Sequence, residues 1–234
     1  MFGCTANRDG HRLMDARETK TLRVTEIYRS IQGESTWAGL PCVFVRLTGC
    51  PLRCVWCDTE YSFHGGERMA LGAIVAEIAA MNTPLVEITG GEPLAQRACG
   101  ALAELLIEHG HTVLVETSGA LPIDRLPEAA TRIMDLKCPD SGECEKNDWD
   151  NIERLAPDRD EVKFVLASRR DYEWARDVVR RYRLETRCKC VLCSPVSGAI
   201  EPHDLAAWIL EDHLPVRLQL QLHKILWAPD AKGV

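Results

Sequence analysis

Three cysteines in one short segment constrain this chain more than any other feature of its sequence. Cys50, Cys54 and Cys57 are separated by three residues and then by two. A structural zinc site, and a four-iron cluster with one cysteine on each iron, both use four protein ligands. Three cysteines on a four-iron cube therefore leave one iron open to a further ligand. The alternative is a zinc site to which Asp58 or His64 supplies the fourth ligand.

The composition favours a single α/β domain in a reducing compartment. The chain has 234 residues, of which 46% are hydrophobic, and its net charge of −7 disfavours a nucleic-acid partner. Its first residues contain no apolar signal core, and its longest apolar stretch is interrupted by Glu77 and too short to span a bilayer. Its eleven cysteines then suggest metal binding before disulfides. We expect a cytoplasmic protein without a membrane partner.

Predicted strands alternate with predicted helices along the chain. Residue type and periodicity predict strands at 22–28, 42–47, 85–89, 112–117, 132–136, 161–166, 188–193 and 216–221. Helices are predicted at 71–81, 94–109 and 168–182, and from Pro202 onward. This alternation predicts a parallel sheet with crossover helices, arranged as a partial TIM-type (β/α) barrel. Residues 1–20 are polar and aperiodic, so we expect a flexible extension before a single domain of residues 21–234.

A second motif, Thr89-Gly90-Gly91-Glu92-Pro93, follows a predicted buried strand. Paired glycines allow close approach of the backbone to a ligand and offer N–H groups, although alone they indicate only a tight turn. Together with the cysteine trio, this motif resembles the radical S-adenosylmethionine (SAM) enzymes. The resemblance implies one [4Fe-4S] cluster per subunit on the three cysteines. SAM would bind to the open iron and to the Gly-Gly-Glu-Pro turn.

Two further segments narrow the resemblance. Ser30-Ile31-Gln32-Gly33-Glu34, Arg46 and Gln221-Leu222-His223-Lys224 resemble the 7-carboxy-7-deazaguanine synthase family of queuosine and deazapurine biosynthesis, over residues 22–229. The resemblance implies a lyase that converts 6-carboxy-5,6,7,8-tetrahydropterin to 7-carboxy-7-deazaguanine by radical ring contraction with loss of ammonia. It also implies Mg²⁺, regeneration of SAM, an electron donor such as flavodoxin or ferredoxin, and a homodimer.

The same resemblance assigns residues to three ligands. Thr59 would bind magnesium, which prefers oxygen ligands and keeps open positions for a substrate. The residues implied for SAM are Gly91, Glu92, Glu116, Ser118, Asp135, Leu136, Lys137, Ser194, Pro195, Val196 and Ser197. The residues implied for the substrate are Ile31, Gln32, Gly33, Glu34, Arg46, Thr89, His223 and Pro229. The guanidinium of Arg46 suits this role because it offers a bidentate fork to a carboxylate.

The sequence departs from the family pattern at three places. Ser35 stands where a second glycine is common, and Leu222 stands where threonine is usual. The segment Asp135-Leu136-Lys137-Cys138-Pro139 replaces a serine-containing version.

Two other functions remain open from the sequence. A glycyl-radical-enzyme activase shares the cluster spacing and the chain size, and a non-catalytic zinc-binding module would also use the cysteines. An auxiliary cluster is conceivable on Cys188, Cys190 and Cys193 with Cys138 and Cys144. We interpret these five instead as ordinary free cysteines, since Cys193 points to the opposite face of the strand from Cys188 and Cys190.

Overall fold

One mixed sheet forms the frame of the molecule. The computed structural model describes residues 15–228, 231 and 233, and in this part nine strands form the sheet. They are β1 (Thr21–Ile31), β2 (Pro41–Leu47), β3 (Glu67–Ala70), β4 (Leu85–Gly90), β5 (Thr112–Thr117), β6 (Thr131–Asp135), β7 (Glu161–Leu166), β8 (Cys190–Pro195) and β9 (Arg217–Leu218). Their spatial order is β3-β1-β2-β4-β5-β6-β7-β8-β9. The pairs β1–β2 and β1–β3 are antiparallel and the others are parallel, which confirms the predicted α/β class and partial barrel.

Helices connect several of the parallel strands. They are α1 (Leu71–Ala80), α2 (Cys99–Glu108), α3 (Arg169–Tyr182), α4 (Leu184–Arg187), α5 (Pro202–Glu211) and α6 (His223–Leu226). Ser168 caps α3 by accepting a hydrogen bond from the backbone N–H of Asp171 at 3.2 Å, and Pro202 occupies the first turn of α5, both as predicted. No helix in the described part of the chain is both long enough and apolar enough to cross a membrane.

The two faces of the sheet have different chemistry because successive side chains of a strand point to opposite sides. Val43 and Val45 of β2, with Val86 and Ile88 of β4, belong to the main core, which also contains the buried faces of the helices. The opposite face begins with a small apolar cluster at the amino ends of the strands: Cys42, Phe44, Leu85, Leu114 and Ile133. Nearer the carboxyl ends, the positions on this second face are polar: Arg46, Glu87, Glu116, Asp135 and Lys163. The barrel interior therefore closes at one end and forms a polar site at the other.

The loop between β1 and β2 closes the open side of the barrel. The side chain of Gln219 accepts from the backbone N–H of Ser35 at 2.8 Å and donates to its carbonyl at 2.7 Å. The backbone N–H of Thr36 donates to Glu161 of β7 at 3.0 Å. Ser35 has a φ of 65°, a left-handed conformation that glycine adopts without strain, which explains why glycine is common in the family at this position.

Several predicted boundaries differ from the structure. The helix predicted at 94–109 begins only at Cys99, because Pro93–Ala95 form a separate 3-10 turn after Glu92. The last strand, predicted at 216–221, is limited to Arg217–Leu218. The N–H of the next residue, Gln219, still donates to Cys193 of β8, while its side chain binds the loop between β1 and β2. The strand predicted at 188–193 is shifted to Cys190–Pro195, and β3 was not predicted.

The predicted extension of residues 1–20 lies outside the described residues up to residue 14. Residues 15–20 form a turn on the helical layer. In this turn Arg17 makes ion pairs with Glu104 at 3.3 Å and Glu108 at 2.6 Å, both on α2. The carbonyl of Lys20 accepts from the N–H of Leu71, the first residue of α1, at 2.8 Å.

Candidate active site

One cavity of about 430 Å³ lies at the carboxyl ends of the parallel strands, where barrel enzymes build their sites. It collects most of the predicted site residues from distant parts of the sequence. Those that line it are Ile31, Gln32, Gly33, Glu34, Arg46, Cys50, Cys54, Cys57, Thr59, Thr89, Gly91, Glu116, Ser118, Asp135, Lys137, Val196, Ser197 and His223. The three groups of residues assigned separately to cluster, SAM and substrate therefore share one space.

The cysteine loop presents three free thiols to this cavity. Cys50, Cys54 and Cys57 are each half-buried, and burial raises the pKa of Cys54 to about 11. The loop is held from outside by backbone contacts, among them a hydrogen bond from the N–H of Val55 to the carbonyl of Ser141 at 3.0 Å. The thiols are thus positioned by the fold and remain accessible from the cavity.

The donor set fits a cluster better than a single ion. In the described part of the chain, no three His, Cys, Asp or Glu side chains are close enough together to hold one metal ion. A zinc site draws all its ligands to about 2–2.3 Å from one point, whereas an iron–sulfur cube presents its irons at separate corners. Three thiols around a common cavity suit the second arrangement.

The Gly-Gly-Glu-Pro turn packs directly on the chain that leads into Cys50. The N–H of Gly91 donates to the carbonyl of Leu47 at 3.1 Å, and that of Glu92 donates to the carbonyl of Gly49 at 2.8 Å. A Cβ atom on Gly91 would lie 2.4 Å from the carbonyl oxygen of Gly49. Glycine is therefore required at Gly91 because two backbone segments are in contact there.

Glu92 anchors this turn from behind. Its carboxylate, which is fully buried, accepts from the N–H of Leu94 at 2.9 Å and the hydroxyl of Thr117 at 2.9 Å. It also accepts from the N–H of Ser118 at 2.7 Å and from its hydroxyl at 2.6 Å. Of the predicted SAM residues, those that lie behind the cavity lining are Glu92, Leu136, Ser194 and Pro195. Contact of these four residues with SAM stays a prediction. The hydrogen bonds of Glu92 support a structural role, in which Glu92 joins the turn to β5.

Arg46 is oriented by a ring of polar partners. Its Nε donates to Glu26 at 2.7 Å and its Nη2 donates to the hydroxyl of Tyr28 at 3.0 Å. The hydroxyl of Tyr61 donates to the same Glu26 oxygen at 2.7 Å. Burial opposes the charge of Arg46, but the neighbouring Tyr28, Tyr61 and Glu26 raise its pKa above the ordinary value. A fixed cation therefore borders the cavity.

Lys163 lies at the centre of a network of carboxylates. Its ammonium donates to Glu34 at 2.7 Å, forms a short hydrogen bond with Glu116, and lies 3.8 Å from Asp135. Burial alone would raise the pKa of Glu116. The contact with Lys163 has the larger effect, so the pKa of Glu116 lies below its ordinary value. Asp135 receives a hydrogen bond from Lys137 at 2.8 Å through Oδ2, while its Oδ1 has no hydrogen-bond partner among the described residues.

Gln32 and Glu87 form the polar floor of the cavity. The side-chain amide of Gln32 donates to Glu87, and its carbonyl oxygen accepts from the N–H of Glu34 at 3.0 Å. Burial, followed by repulsion from Glu116, raises the pKa of Glu87 well above its ordinary value. The raised pKa favours the protonated form of Glu87, which can donate a hydrogen bond to a ligand.

The tail, residues 221–228, covers the substrate segment. The N–H of Leu222 donates to the carbonyl of Gly33 at 3.0 Å. A Cβ atom on Gly33 would lie 2.6 Å from Nδ1 of His223, so glycine is needed for the tail to approach this closely. His223 therefore lies directly against the segment predicted to bind the substrate.

Two polar contacts attach the tail to the rest of the site. The side-chain amide of Gln221 donates to Glu34 at 2.8 Å, and Lys224 forms an ion pair with Asp58 of the cysteine loop at 2.8 Å. The tail thus contacts both the substrate segment and the cluster loop. The predicted substrate residue Pro229 lies outside the described residues.

Thr59 lies where the cysteine loop meets the cavity. It precedes the 3-10 turn Glu60–Ser62, but its side chain makes no capping hydrogen bond. Its hydroxyl lies 3.7 Å from the Sγ of Cys57. Side-chain capping therefore does not explain Thr59, and the hydroxyl borders the space between cluster loop and substrate segment.

Sequence reasoning missed several residues of the site. They are Glu26, Tyr28, Tyr61, Glu87 and Lys163. Asp58 was considered only as an alternative zinc ligand, and Gln221 and Lys224 only as members of the tail motif. A usable signal existed for two of the missed residues: Glu87 is the single charged residue of β4, and Lys163 lies with Glu161 in the otherwise apolar β7. A charge in such a position must find a partner in the folded protein, so it indicates a polar site.

The five cysteines considered for an auxiliary cluster are all free thiols. Cys188 donates its thiol hydrogen to the carbonyl of Leu184 at 3.2 Å. Cys138 and Cys193 are fully buried members of the main core. Cys190 is half-buried on the same strand as Cys193, and Cys144 is half-buried in a loop. These positions fit the interpretation of the five as free cysteines.

Comparison with known proteins identifies relatives along nearly the whole chain. The sequence model of the Radical SAM superfamily matches residues 44–140. A 7-carboxy-7-deazaguanine synthase of Koribacter versatilis is 47% identical over 227 residues, covering 91% of this chain and 100% of the relative. That of Chlorobaculum tepidum is 45% identical, covering 91% and 97%. The crystal structure of QueE from Escherichia coli has the same fold, with a TM-score of 0.73 at 23% identity over 86% of this chain and 94% of that one.

These relatives match the chain well beyond its cysteine motif. Each of the two synthases covers 91% of the chain, and the superfamily model alone spans the cysteine motif and the Gly-Gly-Glu-Pro turn. The synthase interpretation of the sequence is confirmed over the activase and zinc-module alternatives. The chain belongs to the 7-carboxy-7-deazaguanine synthase family of radical SAM lyases.

Proposed function

We propose that the chain converts 6-carboxy-5,6,7,8-tetrahydropterin into 7-carboxy-7-deazaguanine and ammonia and regenerates SAM. The observation that carries this proposal is the single cavity in which the cysteine loop, the Gly-Gly turn and the substrate segment meet. The names of the relatives support the product, and the polar residues of the cavity support the substrate.

The cofactors would occupy one side of this cavity. Cys50, Cys54 and Cys57 would hold the cluster, and the open iron and Gly91 would receive the methionine part of SAM. Once bound, the cluster and SAM would supply a 5′-deoxyadenosyl radical by reductive cleavage of the sulfonium. Asp135 contributes a buried acceptor, Oδ1, that a hydroxyl group of SAM could satisfy.

The chain's own residues would orient the pterin on the other side. Arg46 would pair with its carboxylate, while the amide of Gln32 and the carboxyl group of Glu87 would contact polar ring atoms. His223 and the rest of the tail would cover the ring and exclude water. Orientation of this kind matters because hydrogen abstraction depends on close approach of the reacting atoms.

An anaerobic assay tests the function. Reconstituted protein is incubated with SAM, a reductant and the carboxypterin, and the products are followed by mass spectrometry. We expect 7-carboxy-7-deazaguanine and catalytic use of SAM, with deuterium from C6 of the substrate recovered in SAM. Stoichiometric 5′-deoxyadenosine without a deazaguanine product would favour an activase. Colourless protein with stoichiometric zinc would favour a metal-binding module.

We expect Arg46→Lys to weaken pterin binding and leave SAM binding unchanged. Lysine keeps the charge but loses the planar fork, and it cannot bond Glu26 and Tyr28 while also facing the cavity. The loss of one charge-assisted contact predicts a Kd for the pterin about tenfold higher. Equilibrium binding measures both ligands, with Arg68→Lys on the exposed strand β3 as the matched control. A collapse of SAM affinity instead would assign Arg46 to the cofactor side or to the fold.

We propose that Mg²⁺ binds through the hydroxyl of Thr59 and completes its shell with oxygen atoms of the substrate. Thr59 has no capping role and lies beside the cavity, which supports the assignment. Titration of Mg²⁺ into metal-stripped protein should then raise the turnover of the wild type more than that of Thr59→Ala.

The matched variant for this titration is Thr59→Ser, which retains the hydroxyl. It should keep most of the magnesium response. Equal and magnesium-independent rates in the wild type and in Thr59→Ala would contradict the assignment.

We also propose that the protein is a homodimer. Six large apolar side chains remain exposed on β9, on the tail and on the loop between β1 and β2: Leu40, Leu218, Leu220, Ile225, Leu226 and Trp227. The tail contacts this loop through Leu222 and Gly33, so the exposed residues belong to neighbouring elements. A second copy of the chain would cover this apolar surface.

The proposed compartment is the cytoplasm, and the proposed electron donor is a flavodoxin or ferredoxin. Every cysteine in the described part of the chain is a free thiol, which supports a reducing compartment. Val55, between two of the cluster cysteines, is 75% exposed, so a redox protein can approach the cluster loop from outside.

A further inference from the structure

Lys163 is a charged residue of the cavity wall to which the proposed chemistry assigns no role. It lies on β7 with its side chain only 4% exposed. Its ammonium joins carboxylates from separate elements: Glu34 of the loop between β1 and β2, Glu116 of β5 and, more distantly, Asp135 of β6. One buried cation therefore connects the substrate segment to the strands on the opposite side of the cavity.

The other charged or titratable groups around the network have partners of their own. Lys137 pairs with Asp135, Arg46 pairs with Glu26, and Glu87 bonds to Gln32. Among the described residues, Lys163 is the one cation within ion-pair distance of Glu34 and of Glu116. Its removal would leave two largely buried carboxylates without a counter-charge.

Carboxylates in that situation take up protons. Loss of a neighbouring cation raises the pKa of a buried carboxyl group, and its protonated form presents a donor where an acceptor stood. Glu34 would keep only its hydrogen bond from Gln221, and Glu116 only its hydrogen bond from Thr89, so the orientation of each would be less restricted. A pterin ring offers several N–H donors, so acceptors in fixed positions are what its recognition requires.

We propose that Lys163 is a positioning residue that holds Glu34 and Glu116 directed at the pterin from two sides of the cavity and keeps Glu116 ionised. This inference rests on the proposed function, because it names the pterin as the ligand. Lys163 itself need not touch the substrate. Its contribution is the orientation of the two carboxylates and the charge state of Glu116.

Lys163→Met tests this inference because methionine has a similar length and no charge. Reconstituted protein with SAM and without reductant is titrated with the carboxypterin between about pH 6 and about pH 8.5. Near neutral pH, we expect a Kd about tenfold higher than that of the wild type. Lys146→Met, at an exposed lysine on the outer surface, is the matched control and should match the wild type.

Two pH profiles of opposite sign distinguish positioning from mere packing. In Lys163→Met the Glu116 carboxyl loses the cation that lowers its pKa, so its folded-state pKa rises and the folded protein holds more protons than the unfolded chain. Its stability relative to the wild type should therefore fall as the pH rises. Its pterin affinity should improve over the same range, because ionisation of Glu116 restores an acceptor. A packing defect alone would change stability without this slope in affinity.

A second variant keeps the inference testable if Lys163→Met does not fold. Lys163→Met/Glu116→Gln removes one of the unpaired charges and should be more stable. Since Glu34 is still without its cation, the double variant should bind the pterin about tenfold more weakly than Glu116→Gln alone. Equal affinities of those two proteins, or a folded Lys163→Met with wild-type affinity and a flat profile, would overturn the inference.

The same measurements distinguish a failure of the proposed function from a failure of the role assigned to Lys163. A wild-type protein that does not bind the carboxypterin would refute the function. The pH dependence of unfolding would then still decide whether Lys163 keeps Glu116 ionised. A wild type that binds the pterin, together with an unchanged Lys163→Met, would refute only the role of the lysine.

Discussion

Replacement of any one of Cys50, Cys54 and Cys57 by alanine is expected to remove the iron, the brown colour and the activity of the reconstituted protein. The three thiols line one cavity and come from one loop, so no other cysteine of that loop can replace a missing ligand. Iron content should fall from about four atoms per chain to near zero. Iron analysis and the visible absorption spectrum of anaerobically reconstituted protein measure the change.

The matched control replaces Cys188, Cys190 and Cys193 together by alanine. Since Cys188 and Cys193 are core residues, this variant should lose some stability and keep its iron near the wild-type level. Loss of about half of the iron would mean that a second cluster exists. Full iron content in Cys54→Ala would contradict the three-cysteine assignment.

A loss of stability of about 3 kcal/mol is expected for Glu92→Gln, which at this chain length lowers Tm by roughly 6 to 12 °C. All the groups that contact the Glu92 carboxylate are donors: the N–H groups of Leu94 and Ser118 and two hydroxyls. Glutamine has the same shape but places an NH₂ group against one of these N–H donors. The hydrogen-bond network is thereby broken in a site without water access.

Thermal unfolding of the protein without its cluster, under reducing conditions, measures this effect without interference from iron loss. Glu128→Gln, at an exposed glutamate, is the control and should leave Tm within about 1 °C of the wild type. SAM affinity should also fall in Glu92→Gln, because Gly91 is held by the same turn. A Tm equal to that of the control would show that the anchor is unimportant.

Local sequence patterns sufficed for the outline of the fold. Alternation of apolar strands and helices predicted the parallel sheet, since each element carries its own period of buried residues. The capping residue Ser168 and the first-turn Pro202 marked two helix starts correctly, because capping is decided within one turn of chain. The predictions failed at element boundaries, as at β9, which was predicted to extend to residue 221 and is limited to Arg217–Leu218.

The residues of the site also fall into two groups, those that local sequence patterns predicted and those that they did not. Motifs in continuous segments were recognisable from the sequence, because the spacing of Cys50, Cys54 and Cys57 and the glycine pair are local chemical requirements. Residues that act through a distant partner were not recognisable. Lys163 and Glu34 are far apart in sequence, and Asp58 gives no sign that Lys224 of the tail will pair with it.

The sequence by itself therefore determined the class of the fold, the family and the cofactor motifs, since each of these is encoded in local spacing and periodicity. Only the tertiary structure decided which charged groups lie together in the cavity and in which direction their pKa values are shifted. The physical reason is that the pKa and the orientation of a buried group depend on its neighbours in space. Adjacent strands and the closing loop bring Glu87, Glu116 and Lys163 together, and no local pattern specifies that arrangement.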